Sequence, residues 1–283
     1  AGERSIKIYL NQMNNYSWFT LFVIASFVII LMGGFTYSSS LESNSRITST
    51  RGSADLSIEP NIIFDFSHDV TWSDYDNNYY HATAKVNYDD VLSSRLHKRK
   101  LSLNNWGEFY KNLFHFDKDK LESIYQMFNK IQTKHQLLKQ DFANSLVSFV
   151  QSIPYNYVTM LDCNTIYLTN KEVKEDMDNG VECDGEIFGG IYTPTEFIMN
   201  FKGDCDSRTV FLYTVLKRYG YDVVILNSEL YKHSIIGLNI PSSGVYKAYL
   251  GKRYYVWETT YPGFRIGMIS PEVSNMNYWN VEL

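Results

Sequence analysis

The sequence predicts an α+β protein with one N-terminal transmembrane helix, a small β-rich segment, and a domain whose cysteine-bearing helix packs on an antiparallel sheet. Three observations carry this. The run from Trp18 to Tyr37 is uncharged and almost wholly apolar. Alternating polar and apolar stretches follow between residues 61 and 91. Beyond residue 117, helical periodicity gives way to a sharply punctuated helix and then to three short strand-like runs. The resulting division is 1–37 for tail and span, 38–58 for a linker, 59–116 for the β-rich segment and 117–283 for the main domain.

Composition narrows the classes. With 45% hydrophobic and 20% charged residues among 283, the chain is not disordered, and 16 glycines with 6 prolines exclude collagen-like or low-complexity sequence. The 26 basic and 31 acidic side chains leave a net charge of −5, without the basic footprint of a nucleic-acid binder. Three cysteines, none in a Cys-x-x-Cys pair, exclude a disulfide scaffold and a zinc knuckle.

No charged residue lies between Lys7 and Glu42, and the span from 18 to 37 matches the ~20 residues a helix needs to cross roughly 30 Å of hydrocarbon. A cleaved signal peptide would have a shorter apolar region and a small-x-small site, which GGFTYSSS does not offer. Trp18 and Tyr37 stand where interfacial aromatics are favoured. The bilayer is therefore the first expected partner. Arg4 and Lys7 on one side balance Arg46 and Arg51 on the other, so orientation rests on a single uncleaved span holding a large extracytoplasmic domain. Residues 38–58 are rich in Ser and Thr and read as a tether.

IIFDF and YYHATAKVNY read as strands, with Asn/Asp clusters as turns. His97 to Lys100 read as a solvated basic loop, the alternative being a contact with anionic headgroups or another subunit. From Asp117 to Ser152, apolar residues from Leu121 to Val150 recur at three- and four-residue steps, a core-facing helical stretch closed by Pro154. Residues 170–186 are acidic and read as an exposed loop. The Asp176 to Gly180 stretch lacks the glycine and glutamate spacing of a calcium loop, so no metal or cofactor is called for.

The chemistry concentrates at Cys205. Asp204 is a good N-cap, Lys217 and Arg218 fill the last turn and Gly220 ends it, so Cys205 falls on the first turn of a helix. Free N–H groups and the helix dipole favour a thiolate there, although Asp204 and Asp206 oppose it. A nucleophilic thiol needs a histidine and a group that orients it. His233 opens a strand-like run, and Glu258 sits in a later one, KRYYVWETT. Pairing Ile240 with Lys252 sets His233 opposite position 259 and leaves residues 241–251 as a loop.

KGDCDSRTVFLYTVLKRYGYDVVIL around Cys205, YKHSIIGLNI around His233, YYVWETTYPGFRIG around Glu258 and the upstream SFVQSIPYNYV together resemble the transglutaminase-like superfamily, related to papain-like cysteine peptidases. The resemblance covers roughly residues 120–283. It implies Cys205 as nucleophile, His233 as general base and Glu258 as orienting acid. The family commonly uses Asp for the acid, and here the longer Glu takes its place. The expected activity is hydrolysis or acyl transfer at a peptide, protein or cell-wall amide near a membrane. The alternative is a non-catalytic subunit of a membrane or envelope complex that retains the triad. Cys163 and Cys183, 20 residues apart, either pair in an oxidising compartment or remain two unrelated thiols. If they pair, Cys205 is the thiol left over.

Overall fold

The computed structural model describes residues 66–283. The predicted span at 18–37, the linker at 38–58 and the start of the β-rich segment lie outside the described residues. Among the described residues, no helix is long and apolar enough to cross a membrane.

Strands β1 (Phe66–Ser73) and β2 (Tyr79–Val86) form an antiparallel hairpin. Val70, Trp72, Tyr80, Ala84 and Val86 turn into the core. The Asp74 side chain organises the turn, accepting from the amides of Asp76 (2.9 Å) and Asn78 (3.0 Å) and from the Tyr80 hydroxyl (2.7 Å).

The rest of the expected β-rich segment is helical, in α1 (Tyr88–Lys98) and α2 (Trp106–Asp117). The apolar periodicity that would reveal α1 is missing, because two of its three buried positions are Ser94 and Lys98. The basic run is accordingly not a solvated loop. Lys98 is 1% exposed, and its ammonium donates to Glu196 Oε2 (2.7 Å) and to the Ile191 carbonyl (2.6 Å). Arg95 binds the other Glu196 oxygen at 2.8 Å, so a buried carboxylate draws the run inward.

The single helical stretch expected over 117–152 is two helices, α3 (Glu122–His135) and α4 (Lys139–Ser152). Gln136 takes a left-handed conformation (φ 52°) between them. The region expected as an acidic loop is also built. Strand β3 (Asn156–Val158) pairs in parallel with β4 (Glu182–Asp184), and between them lie α5 (Cys163–Thr169) and α6 (Lys171–Asp178). Asn170 caps α6 by accepting from the amides of Glu172 and Val173. One acidic residue in the first turn, Glu172, and one buried apolar residue, Val173, suffice for two turns tied down at both ends.

One of those ties is the Cys163–Cys183 disulfide, with Cα atoms 6.0 Å apart. Opening it by a double Cys→Ser replacement is expected to cost about 3 kcal/mol, from the unfolded-chain freedom that a loop of this length regains. Urea unfolding of the variant against wild type measures this, and equal midpoints would refute a stabilising staple.

Helix α7 (Pro194–Asn200) starts with a capping box, Thr193 and Glu196, and a proline in its first turn. Then come α8 (Cys205–Arg218), β5 (Val223–Ser228), β6 (His233–Leu238), β7 (Tyr246–Tyr249), β8 (Lys252–Trp257) and β9 (Asn280–Val281). The five strands form an antiparallel sheet in the order β7-β8-β6-β5-β9. The protein is thus α+β, with eight helices among the described residues. Helix α8 packs on β5 and β6, burying Ile225, Ile236, Leu238 and Trp257 with the aromatic core of Trp72, Phe128 and Phe149. The opposite face of the sheet carries Leu226, Ile235, Val256 and Trp279. With both faces covered, every residue of β6 is buried, which accounts for its continuous apolar run.

Two expectations about this sheet need correction. Residues 241–251 are not merely a loop, since β7 adds an edge strand there. The register of β6 with β8 is also one residue away from the expected pairing: Ile236 faces Trp257 and Leu238 faces Tyr255. The expected pairing would set Glu258 across from Ser234, on the face away from His233. The observed one, extended by a residue, sets Glu258 across from Ile235 and on the His233 face.

Candidate active site

Cys205 opens α8. Asp204 caps the helix, its Oδ1 accepting from the Ser207 amide at 3.0 Å, as the sequence predicts. Three turns of buried side chains then anchor the helix, so its N-terminus is held firmly at the end of the sheet. The backbone N–H of Ser234, next in the chain after His233, reaches the Cys205 thiol. That contact brings the cysteine to the head of β6.

Cys205 is only 1% exposed. Burial pushes its thiol well above the ordinary range, Asp206 and Asp204 push in the same direction, and the Ser234 amide opposes them. Asp204 is pushed up to about 7 by burial and by Asp206, so near neutrality it is partly protonated and bears less heavily on the sulfur. Asp206 accepts from the buried Tyr110 hydroxyl at 2.6 Å, and Asn227 donates to that hydroxyl at 3.2 Å. The acidic flank of the cysteine is therefore wired into α2 and β5.

His233, the first residue of β6, stands at the end of the sheet, and the Trp279 ring packs edge-on to it with centroids 5.9 Å apart. Its Nε2 is 2.8 Å from Glu258 Oε2. The other Glu258 oxygen is saturated, accepting from the Thr259 amide (2.8 Å), the Thr260 amide (2.9 Å) and the Thr260 hydroxyl (2.6 Å). Burial alone would raise this carboxyl, but the imidazole charge and the hydrogen bonds from His233 and Thr260 outweigh it and hold it at about 2. An ionised carboxylate can only accept, so His233 Nε2 carries the proton and donates. In the neutral imidazole the lone pair then resides on Nδ1. That atom is buried and has no hydrogen-bond partner among the described residues.

Arg208, one turn into α8, is fully buried and ties the helix that Cys205 opens to its surroundings. Its guanidinium donates to the carbonyls of Gly203 (2.9 Å), Val150 (2.6 Å), Ile153 (2.6 Å) and Thr259 (3.3 Å). It thus joins the residue before the cap, the end of α4 and the residue after Glu258.

No family model, no curated protein and no solved structure matches this chain. The chemistry must be read from the arrangement itself. All three residues singled out by the sequence are buried at one end of the sheet, with His233 and Glu258 in direct contact and Cys205 joined to β6 through Ser234. Sequence reasoning passed over Arg208, Tyr110, Gln151 and Tyr75. For Arg208 a signal existed, a charge immediately followed by the buried run Thr209, Val210, Phe211 and Leu212 in the same helix. For the others, partners 76 to 113 residues away leave no local trace.

Among the described residues, no cluster of three metal-ligating side chains is placed to hold an ion. A cavity of about 430 Å³ lies between β2 and α3, lined by His81, Lys85, Lys130 and Lys134 among others, and none of Cys205, His233 and Glu258 borders it.

Proposed function

We propose that this chain is a thiol-dependent amide hydrolase or acyltransferase of transglutaminase-like type, working through Cys205, His233 and Glu258. Its substrate is a peptide, protein or cell-wall-type amide, met at the extracytoplasmic face of a membrane to which the 18–37 span anchors the domain. The observation that carries this reading is the His233–Glu258 pair. A carboxylate saturated on one oxygen and bonded through the other to Nε2 leaves Nδ1 as a base, at the head of the strand whose next amide contacts the thiol.

Nδ1 takes the thiol proton as sulfur bonds to the amide carbon. The imidazolium returns that proton to the amide nitrogen as the C–N bond breaks, leaving a thioester and a free amine. Water, deprotonated by His233, then releases the acid and restores the thiol. An incoming amine in place of water completes transfer instead. Hydrolysis is the favoured course because it requires no second binding site.

Cys205 is the free thiol of the described residues, since Cys163 and Cys183 are joined. Iodoacetamide should therefore label the native wild-type chain once and leave Cys205→Ala unlabelled. Equal labelling of the two, or a wild type that takes up reagent only after unfolding, would overturn the proposal.

Closure of the site favours a second reading, a binding subunit that retains the triad as structure. Cys205, His233 and Glu258 are 1%, 2% and 3% exposed, so substrate reaches the sulfur only if covering residues move. A membrane complex unaffected by Cys205→Ala, with no thioester trapped, would favour that alternative.

A further inference from the structure

We infer that the β1–β2 hairpin is a working part of this site: Tyr75, acting through Gln151, positions Glu258 against His233. The inference rests on reading Glu258 as the acid of the triad.

The loop that carries Glu258 leaves β8 and is held at two points by one side chain. Gln151, buried near the end of α4, donates through Nε2 to the Glu258 carbonyl (2.7 Å) and to the Phe264 carbonyl (2.9 Å). A primary amide that gives its N–H bonds to two carbonyls leaves its oxygen as an acceptor, and a group that donates to that oxygen adds a further point of orientation. Here that group is the Tyr75 hydroxyl, which donates to Gln151 Oε1 at 2.9 Å. The hydroxyl is fixed in turn as an acceptor, since Trp257 Nε1 reaches it at 3.0 Å and reaches the Phe264 carbonyl at 2.9 Å. The donors and acceptors therefore run one way around the loop. Trp257 gives to Tyr75, Tyr75 gives to Gln151, and Gln151 gives to the backbone on both sides of the turn.

Tyr75 itself belongs to the hairpin turn. Arg265, just past the acid loop, clasps that turn, bonding Asp76 Oδ1 at 3.0 Å and the Tyr75 carbonyl. The geometry of Glu258 matters at this spot because Oε1 relies on backbone amides two residues deep in the same loop. If the loop shifts, the carboxylate loses those amides and its aim at Nε2 together. A segment that the sequence sets apart from the main domain is thus tied to the loop of Glu258 by the half-buried Tyr75 and the buried Gln151.

The test uses the full-length chain in detergent with 15N-labelled histidine, following the low-field Nε2–H proton of His233 that the Glu258 bond protects from solvent. Tyr75→Phe removes one oxygen and Gln151→Met removes both donors. In each, that proton should exchange at least about tenfold faster than in wild type. Thr83→Val is the control, because it removes a hydroxyl from the same hairpin whose bond goes to Asp69, outside the turn that carries Tyr75. Its exchange should match wild type. Unchanged exchange in Tyr75→Phe and Gln151→Met, an equal change in all three variants, or the absence of a protected proton in wild type would each overturn the inference. Iodoacetamide labelling of Cys205 is scored separately. Its failure alongside the expected exchange pattern would remove the proposed activity and leave the positioning role standing.

Discussion

Glu258→Gln is expected to slow alkylation of Cys205 at neutral pH by about 10²- to 10⁴-fold while the fold survives. The substitution is nearly isosteric, and the amide oxygen can still accept from Thr259 and Thr260. What changes is the group facing His233. In place of a carboxylate that only accepts, Nε2 meets an NH2 that only donates, so the imidazole must turn its lone pair to Nε2 and carry its proton on Nδ1. The base that the thiol needs then disappears without any large movement of side chains. The measurement is the second-order rate constant for iodoacetamide, and a rate within threefold of wild type would remove Glu258 from the mechanism.

The same substitution has a signature in stability. Glu258 is held at about 2 against an ordinary 4.5, so its ionised form is bound more tightly in the folded protein. A depressed carboxyl stabilises the fold above its unfolded value, and that stabilisation fades as pH falls from about 4.5 towards about 2. The amount at stake is about 3 kcal/mol. Asp204 acts with the opposite sign. Raised from 3.8 to about 7, it costs stability progressively as pH climbs through that interval. Below 3.8 the Asp204 contribution is constant, and the difference in the slope of urea stability there between wild type and Glu258→Gln isolates Glu258, because the depressed carboxyls of Asp74 and Glu196 act alike in both. Glu258→Gln should flatten that slope, and an unchanged slope would contradict the carboxylate's depressed titration.

How much of this was legible in the sequence follows the distance over which each feature is decided. The start of α8 is local, because Asp204 and the residues after it carry cap, dipole and apolar signals within one helix, and the structure agrees with them. The alternation of β2 and the apolar run of β6 are local in the same sense. The register of β6 with β8 is not. The insertion of β7 and the hairpin at Leu250 and Gly251, both with positive φ, fix the pairing one residue away from the simplest guess, and that residue decides whether Glu258 shares a face with His233. Helix α1 was obscured for another reason. Its inward stripe is partly charged, and Lys98 becomes a core residue only because Glu196, 98 positions later, meets it. Segment 170–186 looked like a loop because its helix buries little and depends on a disulfide that composition leaves undecided.

Arg208→Met is expected to destabilise the protein by about 4 kcal/mol, lowering Tm by about 10 °C. The side chain is fully buried, and burial lowers its guanidinium to about 10, so it remains charged at neutral pH. Without a carboxylate at hydrogen-bonding distance, the charge is met by the four carbonyls of Val150, Ile153, Gly203 and Thr259. Val150 and Ile153 lie at the C-terminal end of α4, where the last carbonyls run short of helical partners, Val150 accepting only from the Ile153 amide at 3.2 Å, and the dipole is negative, so a cation is doubly favoured there. Methionine fills similar volume but leaves the Ile153 and Thr259 carbonyls dry and the Val150 and Gly203 carbonyls with only the backbone N–H of Ile153 (3.2 Å) and of Asn156 (3.4 Å), and each unsatisfied buried carbonyl costs about 1 kcal/mol or more. Arg208→Lys should recover only part of the loss, because one ammonium cannot point to all four oxygens. Since Gly203 precedes the cap of the helix that Cys205 opens and Thr259 follows Glu258, the variant's surviving folded fraction should also show slower Cys205 alkylation. A Tm within 3 °C of wild type, or full recovery by lysine, would contradict the role of the guanidinium as the joint between α4, α8 and the acid loop.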